Sequence, residues 1–124
     1  MLTVIGCGVT ASDISNQALQ VLNGCDTVIM QTEKMEIYQK LCSEKSIITC
    51  DDLYSTAEDF DLLAKKIFER ITQYDGNVCY AVFGSALDDT AVEYTLSQLK
   101  SQGEKVTVIS GICITHLLLF LGKL

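Results

Sequence analysis

The chain predicts an α/β fold, a three-layer sandwich on a five-stranded parallel sheet, and three observations carry that prediction. Short β-branched runs alternate with amphipathic helical stretches along its 124 residues. Two of those runs, Leu2-Thr-Val-Ile-Gly6-Cys-Gly8 and Val78-Cys-Tyr-Ala-Val-Phe-Gly84-Ser85-Ala86, lead straight into glycine. That pattern is expected where bare backbone at the carboxyl end of a strand approaches a ligand. The run Val78 to Val82 is hydrophobic or small at every position, as in a strand covered on both faces.

Taken in order, Leu2 to Ile5 is strand one. Asp13 to Leu22 follows as a helix with Ser12 as its N-cap and Ile14, Ala18, Val21 and Leu22 on one face. Asp26 to Met30 is strand two, and Met35, Tyr38, Leu41 and Cys42 stripe a helix over 33–43. Ile47-Ile48-Thr49 is a short third strand, and Asp51-Asp52-Leu53-Tyr54 reads as a loop. Ser55 and Glu58 have the reciprocal spacing of a capping box, so a long helix is expected to begin there. It turns Phe60, Leu63, Ile67, Ile71 and Tyr74 inward and Asp59, Lys65, Lys66, Glu69 and Arg70 to water, until Asp75-Gly76-Asn77 breaks it. Strand four, Val78 to Val82, should be central. A helix over 88–101 has Asp88 and Asp89 near its positive end and packs Val92, Leu96 and Leu99, and Gly103 ends it. Lys105 to Ile109 is strand five, Ser110-Gly111 a turn, and Cys113 to Leu121 a last, nearly all-apolar helix. Five β-α units of this kind give a Rossmann-like sheet with helices on both faces.

Composition bounds the function. The length and a 48% hydrophobic content suit one domain with its own core. Sixteen acidic against nine basic side chains give a net charge of -7, which disfavours nucleic acid, whose phosphate backbone is held by clustered Lys and Arg. The six cysteines, Cys7, Cys25, Cys42, Cys50, Cys79 and Cys113, include no Cys-x-x-Cys pair and follow no secretory leader, so they read as reduced, buried thiols of a cytoplasmic protein. His116 is the one histidine and has no ligand-spaced partner, so no metal is expected. The apolar stretch Ile114 to Leu121 is far below the roughly 20 residues that cross a bilayer, and no membrane association is expected. Its helix nevertheless lacks a polar face, so a homodimer partner or a covalently following second domain should cover it.

In this order and spacing the blocks resemble the tetrapyrrole (corrin/porphyrin) methylases, and within them the amino-terminal domain fused to MazG-type nucleotide pyrophosphohydrolases. The resemblance covers nearly the whole of 1–124 and rests on Gly6-Cys-Gly8, Val28-Ile-Met-Gln31-Thr32, Asp51-Asp-Leu-Tyr54 with Asp59-Phe60, Tyr80-Ala-Val-Phe-Gly84, and Val108-Ile-Ser110-Gly111-Ile112. It implies a second α/β domain beyond this chain, with S-adenosylmethionine bound in the cleft between the two. The family's Gly-x-Gly-Pro-Gly loop, on the substrate side, falls on Gly6, Cys7, Gly8, Val9 and Thr10 without its proline and last glycine. The cofactor-side loop falls on Gly84, Ser85, Ala86 and Leu87, again without proline, and the loop after strand five on Ser110, Gly111, Ile112 and Cys113. The chain contains no proline.

Two functions follow from the resemblance. One is the amino-terminal half of an S-adenosylmethionine-dependent methyltransferase that acts on a small-molecule, tetrapyrrole-like or other undefined acceptor. The other is a catalytically degenerate accessory or oligomerisation module of a nucleotide pyrophosphohydrolase; the missing loop residues favour it, while the sheet pattern and glycine turns favour the first. No catalytic side chain is identified. A sulfonium donor already carries its leaving group, so the enzyme mainly aligns the reactants and excludes water. Each residue also has a plainer reading. Gly6 and Gly8 permit a tight turn, Asp51 and Asp52 form a solvated turn, and Glu58, Asp59 and Asp61 serve capping and the helix dipole. A phosphate-binding flavodoxin-like module is the weakest alternative, since neither a Walker-type lysine nor Gly-x-Gly-x-x-Gly is present.

Overall fold

A computed structural model of the chain describes residues 1–111. Ile112, Cys113, His116 and the expected helix Cys113 to Leu121 lie outside them. The described residues form the expected sheet: β1 (Leu2–Gly6), β2 (Thr27–Met30), β3 (Ile47–Thr49), β4 (Val78–Val82) and β5 (Val106–Ile109). They pair in the order β3-β2-β4-β1-β5, all parallel. Val78 to Val82 is therefore the middle strand and is buried throughout. Its register, Leu2 opposite Val78 through Gly6 opposite Val82, ends both strands at the same height.

Alternation along the strands splits the core into two layers. Val4, Ile29, Val78, Tyr80 and Val82 point to the face covered by α4 (Phe60–Thr72) and α5 (Thr90–Ser101). Ile5, Val28, Met30, Cys79 and Ala81 point to the face covered by α1 (Asn16–Gly24) and α2 (Glu36–Leu41). On α4, Leu63, Ile67 and Ile71 recur at helical spacing and are buried, each contributing about 2 kcal/mol of apolar burial. Phe68 of α4 meets Tyr94 of α5 edge to face, with ring centroids 5.9 Å apart. Cys7 and Cys50 are buried, and loss of solvation pushes their thiols up to about 12 and about 11. Cys42, by contrast, is exposed.

Helix starts depart from the sequence reading, each for a local reason. The first helix begins at Asn16, capped by Ser15 rather than Ser12: the Ser15 hydroxyl accepts from the Ala18 N–H at 3.1 Å. Asp13 is diverted, because its carboxylate accepts from the Val9 and Thr10 N–H groups and folds Ala11–Asp13 into a single 3-10 turn. The second helix is shorter than 33–43, starting only at Glu36 after a turn through Thr32 and Met35.

Asp51 to Tyr54 is not a loop but opens a helix, α3 (Asp51–Thr56). Its first turn is held by tertiary partners. Asp51 accepts from the Thr32 hydroxyl and the Glu33 N–H, and Asp52 takes a two-pronged hydrogen bond from Arg70 at 2.6 and 2.7 Å. The expected capping box of Ser55 and Glu58 does not form, since the Ser55 hydroxyl donates back to the Asp52 carbonyl within α3. Asp59 caps α4 instead, accepting from the Leu62 N–H at 2.8 Å. Phe60 then falls in the first turn of α4 and is 80% exposed, not inward. Asp89 likewise caps α5 through the Val92 N–H. Among the described residues no helix is long and apolar enough to cross a membrane, and no cluster of three or more His, Cys, Asp or Glu is placed to hold a metal.

Candidate functional site

The connection leaving β1 runs through α1 on one face, and that leaving β4 runs through α5 on the other. Adjacent strands whose outgoing connections diverge leave a crevice beyond their carboxyl ends. The structure brings together there the turns after β1, β4 and β5.

Gly8 and Gly84 exchange two backbone hydrogen bonds at 3.1 and 2.9 Å, and the Ala86 N–H donates to the Ser110 carbonyl at 2.7 Å. Gly6 lies beneath the three turns. A Cβ there would overlap the Ser110 carbonyl and come within 2.7 Å of both the Ala86 nitrogen and the Gly84 carbonyl. Gly111, at φ +75°, closes over the Gly6 carbonyl with equally little room. Gly84 differs: its φ is +72°, yet the direction its Cβ would take meets nothing within 4 Å.

The hydrogen-bond ledger of the β1 turn is closed. The Cys7 N–H donates to Val82, Gly8 to Gly84, and Val9 and Thr10 to the Asp13 carboxylate. Those bonds hold Asp13 below the usual carboxylate range. With its donors engaged inside the protein, this loop offers no cradle of free N–H groups to a phosphate, unlike a P-loop. Cys7 is buried with a raised thiol pKa and is no nucleophile. Of the expected cofactor-side residues, Gly84 and Ser85 line an open depression of about 240 Å³ with Gln31, Phe83, Asp88 and Asp89. Ala86 is fully buried, while Leu87 is 65% exposed. Gly111 is exposed beside them, whereas Ile112 and Cys113 fall outside the described residues.

Two further openings lie one strand over, beside the end of β2. A cavity of about 390 Å³ is lined by Gln31, Thr32, Lys34, Met35, Asp51, Tyr54 and Phe83. A second, of about 240 Å³, runs from Gln31 and Tyr54 to Phe60, Asp88 and Asp89. Gln31 is shared by all three openings. Its Oε1 accepts from the Phe83 N–H at 2.9 Å, and its Nε2 donates to the Tyr54 hydroxyl at 2.9 Å and to Asp89 at 3.3 Å. The side chain thus ties the tips of β2 and β4 to α3 and to the start of α5.

Sequence reasoning did not select Gln31, Tyr54 or Phe83 as site residues. One signal was available: Gln31 is the polar residue directly following the buried β2 run Val28-Ile29-Met30, where the end of a parallel strand meets solvent. Tyr54 carries no such signal, because a loop over Asp51 to Tyr54 gives its side chain no set direction.

Fold and crevice together define the class, an open parallel α/β domain with a cleft at its strand tips. Among solved structures the chain is similar to diphthine synthase, with a TM-score of 0.65 and 20% identity over 91% of this chain and 45% of that one. It is also similar to uroporphyrin-III-C-methyltransferase from Thermus thermophilus, with a TM-score of 0.66 and 12% identity over 90% and 47%. A third is the cobalt precorrin-4 methyltransferase CbiF, a cobalamin biosynthetic enzyme, with a TM-score of 0.62 and 16% identity over 90% and 46%. At these identities the likeness establishes the fold. The chain spans less than half the length of each of these proteins. No family model and no curated relative matches the sequence.

Proposed function

We propose that this chain supplies one wall of an S-adenosylmethionine-dependent methyltransferase, as the amino-terminal half of a tetrapyrrole methylase-like enzyme of the kind fused to MazG-type pyrophosphohydrolases. In this reading the cofactor side is assigned to Gly84, Ser85, Ala86 and Leu87 with Gly111, and by the family resemblance to Ile112 and Cys113, and the acceptor side to Gly6, Cys7, Gly8 and Val9. The observation that carries this reading is the junction of three glycine turns at the tips of β1, β4 and β5, of which Gly84 alone leaves open space where a side chain would stand. A ligand can approach the Gly84 backbone there without displacing protein atoms.

S-adenosylmethionine supplies an activated methyl group when bound. The chain's own contribution is alignment, from a hydrogen-bonded floor at Gly8–Gly84 and a cleft wall that includes Phe83 and Tyr54. No acid or base on this wall is needed for that work. The acceptor is a small molecule, tetrapyrrole-like or of another class. A second α/β domain, or a homodimer partner, completes the site in a cytoplasmic protein that uses neither nucleic acid nor membrane.

Calorimetric titration of S-adenosylhomocysteine into the chain and into Gly84→Val tests this. Heat of binding is expected from the parent and none from the variant, whose side chain would fill the open space. Absence of binding to the parent, folded by circular dichroism, and equally to a protein extended by the second domain, would leave the accessory-module reading in its place.

A further inference from the structure

The ladder between β2 and β4 ends on a side chain. Paired from Thr27 opposite Val78 to Met30 opposite Ala81, the two strands continue with the Gln31 N–H donating to the Ala81 carbonyl at 2.9 Å. In a parallel ladder the next bond would run from the Phe83 N–H to the main-chain carbonyl of Gln31. The Phe83 N–H donates instead to Gln31 Oε1, at 2.9 Å. The side chain supplies the last rung, and the main chain is free to enter the turn through Thr32 and Met35.

The other end of the same amide reaches Asp89. Nε2 donates to the Asp89 carboxylate at 3.3 Å and to the Tyr54 hydroxyl at 2.9 Å. Phe83 and Asp89 are the first and last residues of the connection from β4 to α5, and Asp89 also caps α5 through the Val92 N–H. One side chain therefore clasps both ends of the 83–89 loop, and Gly84, Ser85, Ala86 and Leu87 stand between those ends. The loop is fastened to the β1 and β5 turns by the Gly8–Gly84 pair and by the Ala86 N–H on the Ser110 carbonyl. Gln31 is its fastening on the β2 side.

The partners select an amide. A main-chain N–H can only donate and a carboxylate can only accept, so a residue bridging Phe83 and Asp89 must present one acceptor and one donor. Glutamine does, and the two partners leave its amide one orientation. A carboxylate of the same shape keeps the acceptor, loses the donor and sets a second negative charge beside Asp89, whereas a thioether of the same length replaces neither bond. Gln31 lines the same depression as Gly84 and Ser85, but both hydrogens of its Nε2 are engaged within the protein.

We propose that Gln31 is a positioning residue: by clasping Phe83 and Asp89 with one amide, it holds the 83–89 loop in the conformation that leaves Gly84 open to a ligand. The proposal rests on the reading of Gly84 as part of the cofactor side. It adds a residue from the tip of β2, outside the three glycine turns, on which affinity there depends.

Gln31→Met and Gln31→Glu test it, each checked for folding by circular dichroism. Amide hydrogen exchange is followed by NMR, and S-adenosylhomocysteine is titrated calorimetrically into parent and variants at about pH 8 and about pH 5, on either side of the raised pKa expected of a carboxyl beside Asp89. In Gln31→Met the Phe83, Gly84 and Ala86 amides should exchange about tenfold faster than in the parent while those of β5 are unchanged, and S-adenosylhomocysteine should bind about tenfold more weakly at both pH values. In Gln31→Glu the same losses should appear at the higher pH and be largely restored at the lower, where the new carboxyl carries a proton to donate. Lys34, Asp51, Tyr54, Asp88 and Asp89 are the titratable groups around these openings, and the parent, which has all of them, corrects for their own titration. Loss of a merely supporting contact gives no such restoration. Loop exchange as slow in Gln31→Met as in the parent overturns the proposal. So does a variant that binds S-adenosylhomocysteine as tightly as a binding parent, or a Gln31→Glu profile parallel to the parent's. Faster loop exchange with no S-adenosylhomocysteine binding by the parent or its two-domain extension supports the clasp and removes the cofactor reading beneath it.

Discussion

Three glycines of this chain should respond to the same substitution in three different ways, because their surroundings differ. In Gly6→Ala, the new methyl would stand within 2.7 Å of the Ala86 nitrogen and the Gly84 carbonyl, against an ordinary contact of 3.4–4 Å. Both neighbours are backbone, so the turns after β4 and β5 must retreat as units. That retreat breaks the contacts Cys7 to Val82, Gly8 to Gly84, Gly84 to Gly8 and Ala86 to Ser110, four backbone hydrogen bonds. At about 1 kcal/mol net for each, losing three or four destabilises the fold by about 3–4 kcal/mol. For a domain of this size the melting temperature should fall by about 12–16 °C.

Gly84→Ala pays no steric penalty, since nothing lies within 4 Å, but its φ of +72° strains any residue with a Cβ. The expected loss is about 1–2 kcal/mol. Gly24, at the end of α1, has neither obstacle, and Gly24→Ala should stabilise by about 0.4–1 kcal/mol by restricting the unfolded chain. Urea unfolding followed by far-ultraviolet circular dichroism gives the three values. A Gly6→Ala variant as stable as Gly84→Ala would refute the claim that the β1, β4 and β5 turns are locked around Gly6.

Two further outcomes follow from the helix ends and the Arg70–Asp52 ion pair. Asp59→Ala should lower stability by about 1 kcal/mol through loss of the α4 cap, while Ser55→Ala stays within about 0.5 kcal/mol, as chemical denaturation will show. The Arg70 guanidinium holds the Asp52 carboxyl at about 2, below its ordinary 3.8. A depressed carboxylate stabilises above its unfolded pKa and loses that contribution as pH falls, here between about 4 and 2. Asp52→Asn should therefore flatten the acid limb of the stability profile in that window. The effect should stay within about 1 kcal/mol because the Asp52 side chain is 63% exposed.

Much of the architecture was legible because it rests on patterns a few residues long. Five β-branched runs, the all-apolar strand Val78 to Val82 and the inward stripe Leu63, Ile67 and Ile71 are each complete within one segment, and each kept its place. Helix starts were less legible, since several polar side chains competed for the same backbone donors. Asp13 was drawn to Val9 and Thr10, leaving Ser15 to cap α1, and Asp59 prevailed over Ser55 at α4. Asp51 to Tyr54 became helical because Thr32, Glu33 and Arg70, 18–19 residues away from their partners, hold its first turn.

The sequence by itself determined an α/β chain whose strands end in glycine, because burial and turn geometry act on neighbours along the backbone. Only the tertiary structure decided which strand tips meet. The sheet order sets β4 between β2 and β1, and that adjacency closes Gly8 onto Gly84 on one side while opening the cleft around Gln31 on the other. Gln31 is separated by 23 residues from Tyr54 and by 58 from Asp89, and no periodicity in the chain encodes a contact made across the sheet.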